Sequence, residues 1–269
     1  MESLSGSRAA TALKFLLCAG LLGLAGCGTG ASASCPPSAP TTCVRVLFLG
    51  NSYTYANDLP GTFARLARAG GHEVQVAMVA GGGETLEQHA SSAESLGKLH
   101  SQTWDFVVLQ EQSETPASST SASYFMYPAA RELAGRARAA GATPMFFMTA
   151  AHRDGILGSA TPSYETMQLA VDQSYLAIAN ELDAPVAPVG FTWFVVRRDH
   201  PEIGLWQDDG SHPSIAGTYL AACVFYASIF RHSPEGLAYG EGLPDAQASV
   251  LRTEAGRNVM DLGAQWGLP

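Results

Sequence analysis

The chain has 269 residues, of which 46% are hydrophobic and 14% charged, and it carries a formal net charge of −9. That length suits one catalytic domain of roughly 200–250 residues plus a targeting segment, and the composition excludes a disordered chain. No basic stripe is present, which excludes a nucleic-acid surface, because phosphate binding needs clustered Lys and Arg.

At the N-terminus, Arg8 and Lys14 precede an apolar run from Phe15 to Ala25. The run is too short for a permanent membrane span and reads as the hydrophobic part of an export signal. It ends in Leu24-Ala25-Gly26-Cys27, which resembles a bacterial lipobox. The resemblance implies cleavage before Cys27, lipidation of Cys27, and a protein anchored to the cell envelope, in the outer membrane if the host has one. An ordinary signal peptide with an incidental Cys is the alternative. Losing residues 1–26 removes one acid and two bases and takes the charge from −9 to −10, so the anchor is the lipid and not a basic patch. Residues 28–43, rich in Ser, Ala, Pro and Thr, read as a tether. An oxidising compartment permits a Cys35–Cys43 disulfide. Cys223, on an apolar helix, reads as a buried thiol.

From residue 44 to 269 the chain reads as one domain. Val44 to Leu49 predicts a buried strand, followed by a helix over Leu59 to Ala69. Further strands are expected at Val74 to Val79, Phe106 to Leu109, Met145 to Met148 and, more weakly, Val186 to Val189. Helices are expected at Glu84 to Leu99, Tyr124 to Ala140, Ser163 to Leu182, Pro213 to Phe230 and Ala246 to Leu262. Alternating apolar strands and helices predict an α/β fold: a three-layer α/β/α sandwich around a five-stranded, mostly parallel sheet. In such sheets the chemistry gathers where the strands end.

Four segments at strand ends carry polar chemistry. Gly50-Asn51-Ser52 follows the first strand and can expose a serine hydroxyl, although Ser52 alone also fits a helix cap. Gly81-Gly82-Gly83-Glu84 follows the second and can present free N–H groups; it matches neither a phosphate loop nor a dinucleotide fingerprint. Gln110-Glu111-Gln112-Ser113 follows the third and offers amide donors for an oxyanion. Asp209-Gly210-Ser211-His212 precedes the last strong helix, with spacing that lets the carboxylate hold one imidazole nitrogen and leave the other as a base.

Together these segments resemble the SGNH/GDSL hydrolase family over residues 44–231. The resemblance implies a flavodoxin-like sandwich and a serine esterase with Ser52, Asp209 and His212 as catalytic residues. It also implies an oxyanion hole built from the N–H groups of Ser52 and Gly83 and an amide from Gln110 or Gln112. The third block departs from the family's Gly-x-Asn-Asp and looks closer to the Gln-Gly-Glu-Ser run of carbohydrate acetylesterase relatives. Asn51, Glu84 and His152 are candidates for substrate contact. Trp193, Phe194 and Trp206 either wall that site or pack in the core. No cofactor is expected, and no metal, because the remaining histidines do not cluster with Cys, Asp or Glu at ligand spacing. Short-acyl esters of carbohydrates are the first substrate expectation. Lipid, lysophospholipid or polyester hydrolysis is the alternative, as is a lipid-anchored binding protein that keeps the fold without turnover.

Overall fold

The computed structural model describes Cys35 and residues 43–268. The expected signal segment, the expected lipidation of Cys27 and most of the expected tether fall outside the described residues. Cys35 and Cys43 are joined in a disulfide, with their Cα atoms 5.9 Å apart.

In chain order the elements are β1 (Val44–Gly50), α1 (Ser52–Tyr55), α2 (Leu59–Ala69), β2 (Val74–Ala80), α3 (Leu86–Ser91), α4 (Ala93–Leu99) and β3 (Phe106–Leu109). Next come α5 (Ser119–Ser121), which runs through a π-turn (Ala122–Met126) into α6 (Tyr127–Ala139), then β4 (Thr143–Phe147) and α7 (Tyr164–Leu182). The chain continues with β5 (Val186–Ala187), α8 (Val189–Asp199), α9 (Ile215–Phe230) and α10 (Asp245–Met260). The five strands form one sheet in the order β2-β1-β3-β4-β5, and every described pairing is parallel. Helices α2 and α9 cover one face; α3, α4, α6 and α7 cover the other. This is the expected α/β/α sandwich.

Alternation along the strands sends neighbouring side chains to opposite faces. Phe146 meets Tyr175 of α7 (ring centroids 6.3 Å apart), whereas Phe147 meets Phe225 of α9 (5.1 Å). Phe48 joins the latter cluster, 5.3 Å from Phe225 and 6.3 Å from Phe63. One hydrophobic core runs through these contacts on both faces of the sheet.

Local chemistry moved several predicted boundaries. The helix expected over Glu84 to Leu99 is two helices. Thr85 caps the first in a reciprocal box with Gln88, and Ser92 leaves helical geometry to cap the second at Ser95 N–H. The strand expected to reach Val189 stops at Ala187, because Pro188 has no N–H for the ladder and instead caps α8. Helix α8, which holds Trp193 and Phe194, was not predicted at all.

The register sets up the site. Gly50 pairs with Ala80, Leu49 pairs with Leu109, and Leu109 pairs with Phe146. The segments that follow β1, β2, β3 and β4 therefore emerge level with one another at the carboxyl edge. Chain order reverses at β1, which lies between β2 and β3, and that is where a crevice forms in an open parallel sheet.

Candidate active site

A glycine is needed at position 50 because a Cβ there would collide with Thr54 Oγ1 and Gln110 Oε1. The close approach lets Asn51 act as a clamp. Its N–H donates to Gln110 Oε1 (2.8 Å) and its side-chain NH₂ to the Glu84 carbonyl (2.9 Å). Its Oδ1 accepts from Tyr53 N–H (3.1 Å) and from Gln110 Nε2 (2.9 Å). One buried side chain thus ties the ends of β1, β2 and β3 together and caps α1. Asn51 was expected to touch substrate; it organises the site from beneath instead.

Ser52 opens α1 and is 9% exposed. Among the described residues no protein group bonds its Oγ or its N–H. As the first residue of a helix its N–H has no intrahelical acceptor, so it faces outward as a donor.

The loop after β2 turns at Gly83, whose φ of +71° favours glycine. Among the described residues no acceptor takes the Gly83 N–H. Glu84 folds back so that its Oε2 accepts the Gly81 N–H (2.5 Å), which corrects the expectation that it faces substrate. A buried histidine missed by sequence reasoning supports this floor. His89 Nε2–H donates to the Gly50 carbonyl (2.8 Å), leaving Nδ1 to accept from Ser95 Oγ (2.8 Å).

After β3 the two glutamines part ways. Gln110 is fully buried, and both of its amide hydrogens are taken, by Asn51 Oδ1 (2.9 Å) and the Glu111 carbonyl (2.6 Å). It has no hydrogen left for an oxyanion, so that role is withdrawn. The strand ladder ends here because Glu111 N–H turns aside to donate to Tyr175 Oη (3.0 Å). Gln112 Oε1 accepts the N–H groups of Glu114 and Thr115 (2.8 and 3.1 Å), while among the described residues its Nε2 bonds only Ser113 Oγ, at 3.3 Å. Gln112 therefore retains one amide hydrogen.

Glu111 is buried, and its Oε1 accepts from Gln112 N–H (2.7 Å) and Leu86 N–H (3.3 Å). Burial pushes its carboxyl up to about 7 from an ordinary 4.5. Between those pH values the native state holds a proton that the unfolded chain has lost. Stability is therefore greatest below the unfolded value and falls as pH rises towards the folded one. The unfolding midpoint is expected to rise when pH is lowered from about 7.5 to about 5.5. Glu111→Gln, which keeps the acceptor but does not titrate, should flatten that slope in thermal melts. Asp172, also pushed up to about 7 by burial, leaves part of it.

The last segment makes a tight turn through Gly210 (φ +69°). Asp209 Oδ1 accepts the N–H groups of Ser211 and His212, both at 2.9 Å, and its Oδ2 accepts from His212 Nδ1–H at 2.6 Å. The bond from the His212 ring, with the backbone bonds, holds the Asp209 carboxyl down at about 2, so it stays ionised across the working range. With Nδ1 committed, His212 Nε2 is the basic nitrogen. Tyr53, next to Ser52, packs edge-on against the His212 ring (6.1 Å), and its hydroxyl bonds Ser211 Oγ (3.0 Å). Asn57 adds a second tie, donating to the Pro213 carbonyl and to Thr218 Oγ1, both at 2.9 Å. The serine segment and the Asp-His turn are thus bound directly to each other.

His152, after β4, lies 3.1 Å from Ser113 Oγ through Nε2. Burial lowers its basicity, with Asp209 and His212 close enough to contribute. Ser113 and His152 are thus a hydrogen-bonded Ser–His pair, but among the described residues no carboxylate bonds the His152 ring. Trp193 and Trp206 meet at 4.8 Å, and Trp206 also packs on Tyr164 at 5.3 Å. Trp193 lines a cavity of about 20 Å³ with Tyr53, Ser211 and Pro213, behind the His212 turn.

The fold has counterparts among solved structures. A protein from Slackia heliotrinireducens assigned to the SGNH hydrolases is 33% identical; the match covers 70% of this chain and 100% of that one, with a TM-score of 0.58. A DUF4886 family protein from Bacteroides uniformis is 17% identical over 81% of this chain and 95% of its own, with a TM-score of 0.68. An acetylxylan esterase from Geobacillus stearothermophilus is 16% identical over 68% and 92%, with a TM-score of 0.53. No protein-family model and no curated protein matches the chain.

Proposed function

Because the chain belongs to the SGNH hydrolase family, we propose that it is a serine esterase that cleaves short-acyl, chiefly acetyl, esters of carbohydrates. His212 Nε2 removes the Ser52 hydroxyl proton as Oγ attacks the ester carbonyl carbon. Asp209 keeps the imidazole in the required tautomer and stabilises the imidazolium. The carbonyl oxygen becomes an oxyanion held by the N–H groups of Ser52 and Gly83, with the free amide hydrogen of Gln112 as the third donor. Collapse breaks the bond to the alcohol, which leaves with the proton from His212. Water, activated by the same nitrogen, then releases the acid and restores Ser52.

The observation that carries this reading is the 2.6 Å bond from His212 to Asp209, in a turn tied through Ser211 and Tyr53 to the serine segment. The short acyl group is supported by the third block, Gln110-Glu111-Gln112-Ser113, which resembles that of carbohydrate acetylesterases. The carbohydrate is supported by the Gln-Glu-Gln-Ser block and by a fold shared with an acetylxylan esterase.

A panel of p-nitrophenyl esters and acetylated sugars tests the substrate class. The acetyl ester should be cleaved with a kcat/KM roughly tenfold or more above that of the octanoyl ester, a difference of about 1.4 kcal/mol in transition-state binding. Preference for the longer chain would overturn the acetylesterase reading. Absence of any ester hydrolysis would favour a binding protein.

A further inference from the structure

Two segments leave the carboxyl edge of the sheet side by side, one after β3 and one after β4. They start joined, through Ser113 Oγ and His152 Nε2. Beyond that bond they diverge, and a groove of about 650 Å³ opens between them, within the size range of small-ligand sites. Its near end is Glu114, whose charge reaches both His152 and Tyr53.

The groove is preformed. Gln112 Oε1 caps the turn that starts one wall, and Ser174 Oγ pins that wall to α7 through the Pro116 carbonyl (2.7 Å). The other wall is closed on itself, by Ile156 N–H to the Thr161 carbonyl (2.8 Å) and Ser159 Oγ to the Ile156 carbonyl (2.7 Å). The floor is one face of α7: Thr166, Leu169, Ala170 and Gln173, at the i, i+3, i+4, i+7 spacing that aligns side chains along a helix. Leu169 is 58% exposed there.

Resting on the esterase reading given above, we propose that this groove binds the neutral sugar units beyond the acetylated one, extending the site along an oligosaccharide. Charge excludes an anionic ligand: among the described residues lining the groove, Glu114 is the one carboxylate and there is no Lys or Arg. Hydroxyl groups exclude a hydrocarbon chain, which would strip water from Ser118, Ser119, Thr120 and Ser159 without replacing its hydrogen bonds. A neutral sugar meets both demands. Its hydroxyls pair with the walls, and its C–H faces lie on Leu169 and Tyr127.

The test is calorimetric titration of xylotetraose, cellotetraose and chitotetraose into the full chain, which needs no turnover. At least one should bind saturably in the millimolar range or tighter. Ala170→Trp, which fills the floor, should weaken that binding roughly tenfold or more with an unchanged melting temperature. Leu169→Ala, a milder change, should weaken it a few-fold. No binding of any of the three sugars overturns the proposal, as does binding indifferent to Ala170→Trp. A selective loss of octanoyl over acetyl ester cleavage in Ala170→Trp would assign the groove to an acyl chain and also overturn it. An inactive chain that binds the sugars would refute the esterase reading alone, and an active one that binds none would refute the groove alone.

Discussion

Ser52→Ala is expected to lower kcat for p-nitrophenyl acetate by roughly a million-fold, with KM little changed. The size follows from the absence of a substitute at the same place. Thr54 Oγ1 donates to Gln110 (2.9 Å), and Tyr53 Oη is tied to Ser211 (3.0 Å), so neither neighbouring hydroxyl is free to attack. Backbone donors remain in the variant, so a small rate above that in water should persist. The hydroxyl of Ser52 makes no hydrogen bond within the described structure, so its loss should leave the melting temperature unaltered. Steady-state kinetics beside a thermal melt checks both halves. A variant with near wild-type rates would remove Ser52 from the mechanism.

Asp209→Asn is expected to cost about ten-thousand-fold in kcat near neutral pH. The amide keeps an oxygen for the N–H groups of Ser211 and His212, so the turn survives. At the second position an NH₂ donor faces His212 Nδ1 where a carboxylate oxygen accepted at 2.6 Å. The ring then carries its hydrogen on Nε2 and cannot take the serine proton. Asp209→Ala would also dissolve the turn, so Asn separates tautomer control from architecture. A pH profile checks it: a loss reversed at high pH, where hydroxide replaces the base, fits the tautomer account, whereas a loss of less than tenfold at neutral pH contradicts it.

Much of this site was legible in the sequence because its chemistry is local. Asp209 and His212 sit three residues apart with a glycine between them, and that spacing alone allows the turn. The strands were legible as apolar runs, and Ser52 and Gly83 were placed by following those runs to their ends. What was not legible depends on partners far away in sequence. Gln110 and Gln112 look equivalent along a continuing strand. Only the burial of Gln110 against Asn51, 59 residues earlier, uses up its amide hydrogens. Glu84 and Asn51 look like substrate contacts for the same reason; each is turned inward by a bond that no local pattern announces. Asn57 and His89 were missed because a lone amide and a lone histidine carry no spacing signal. Helix α8 was missed because the aromatic and β-branched run from Phe191 to Val196 has a weak helix preference, and packing on α7, α9 and α10 overrides it.

The structure also contains a rival that the sequence did not suggest. Ser113 and His152 are in hydrogen-bonding contact at 3.1 Å, and both lie at the same edge of the sheet. The two histidines differ in what stands behind them. His212 has Asp209 bonded to its ring, whereas His152 has no bonded carboxylate among the described residues and is held less basic by burial. Mapping the adduct of a fluorophosphonate by peptide mass spectrometry distinguishes them most directly. The adduct is predicted on Ser52, absent from Ser52→Ala and retained in Ser113→Ala. An adduct on Ser113, or none on an enzyme that hydrolyses p-nitrophenyl acetate, would contradict the assignment of Ser52 as the nucleophile.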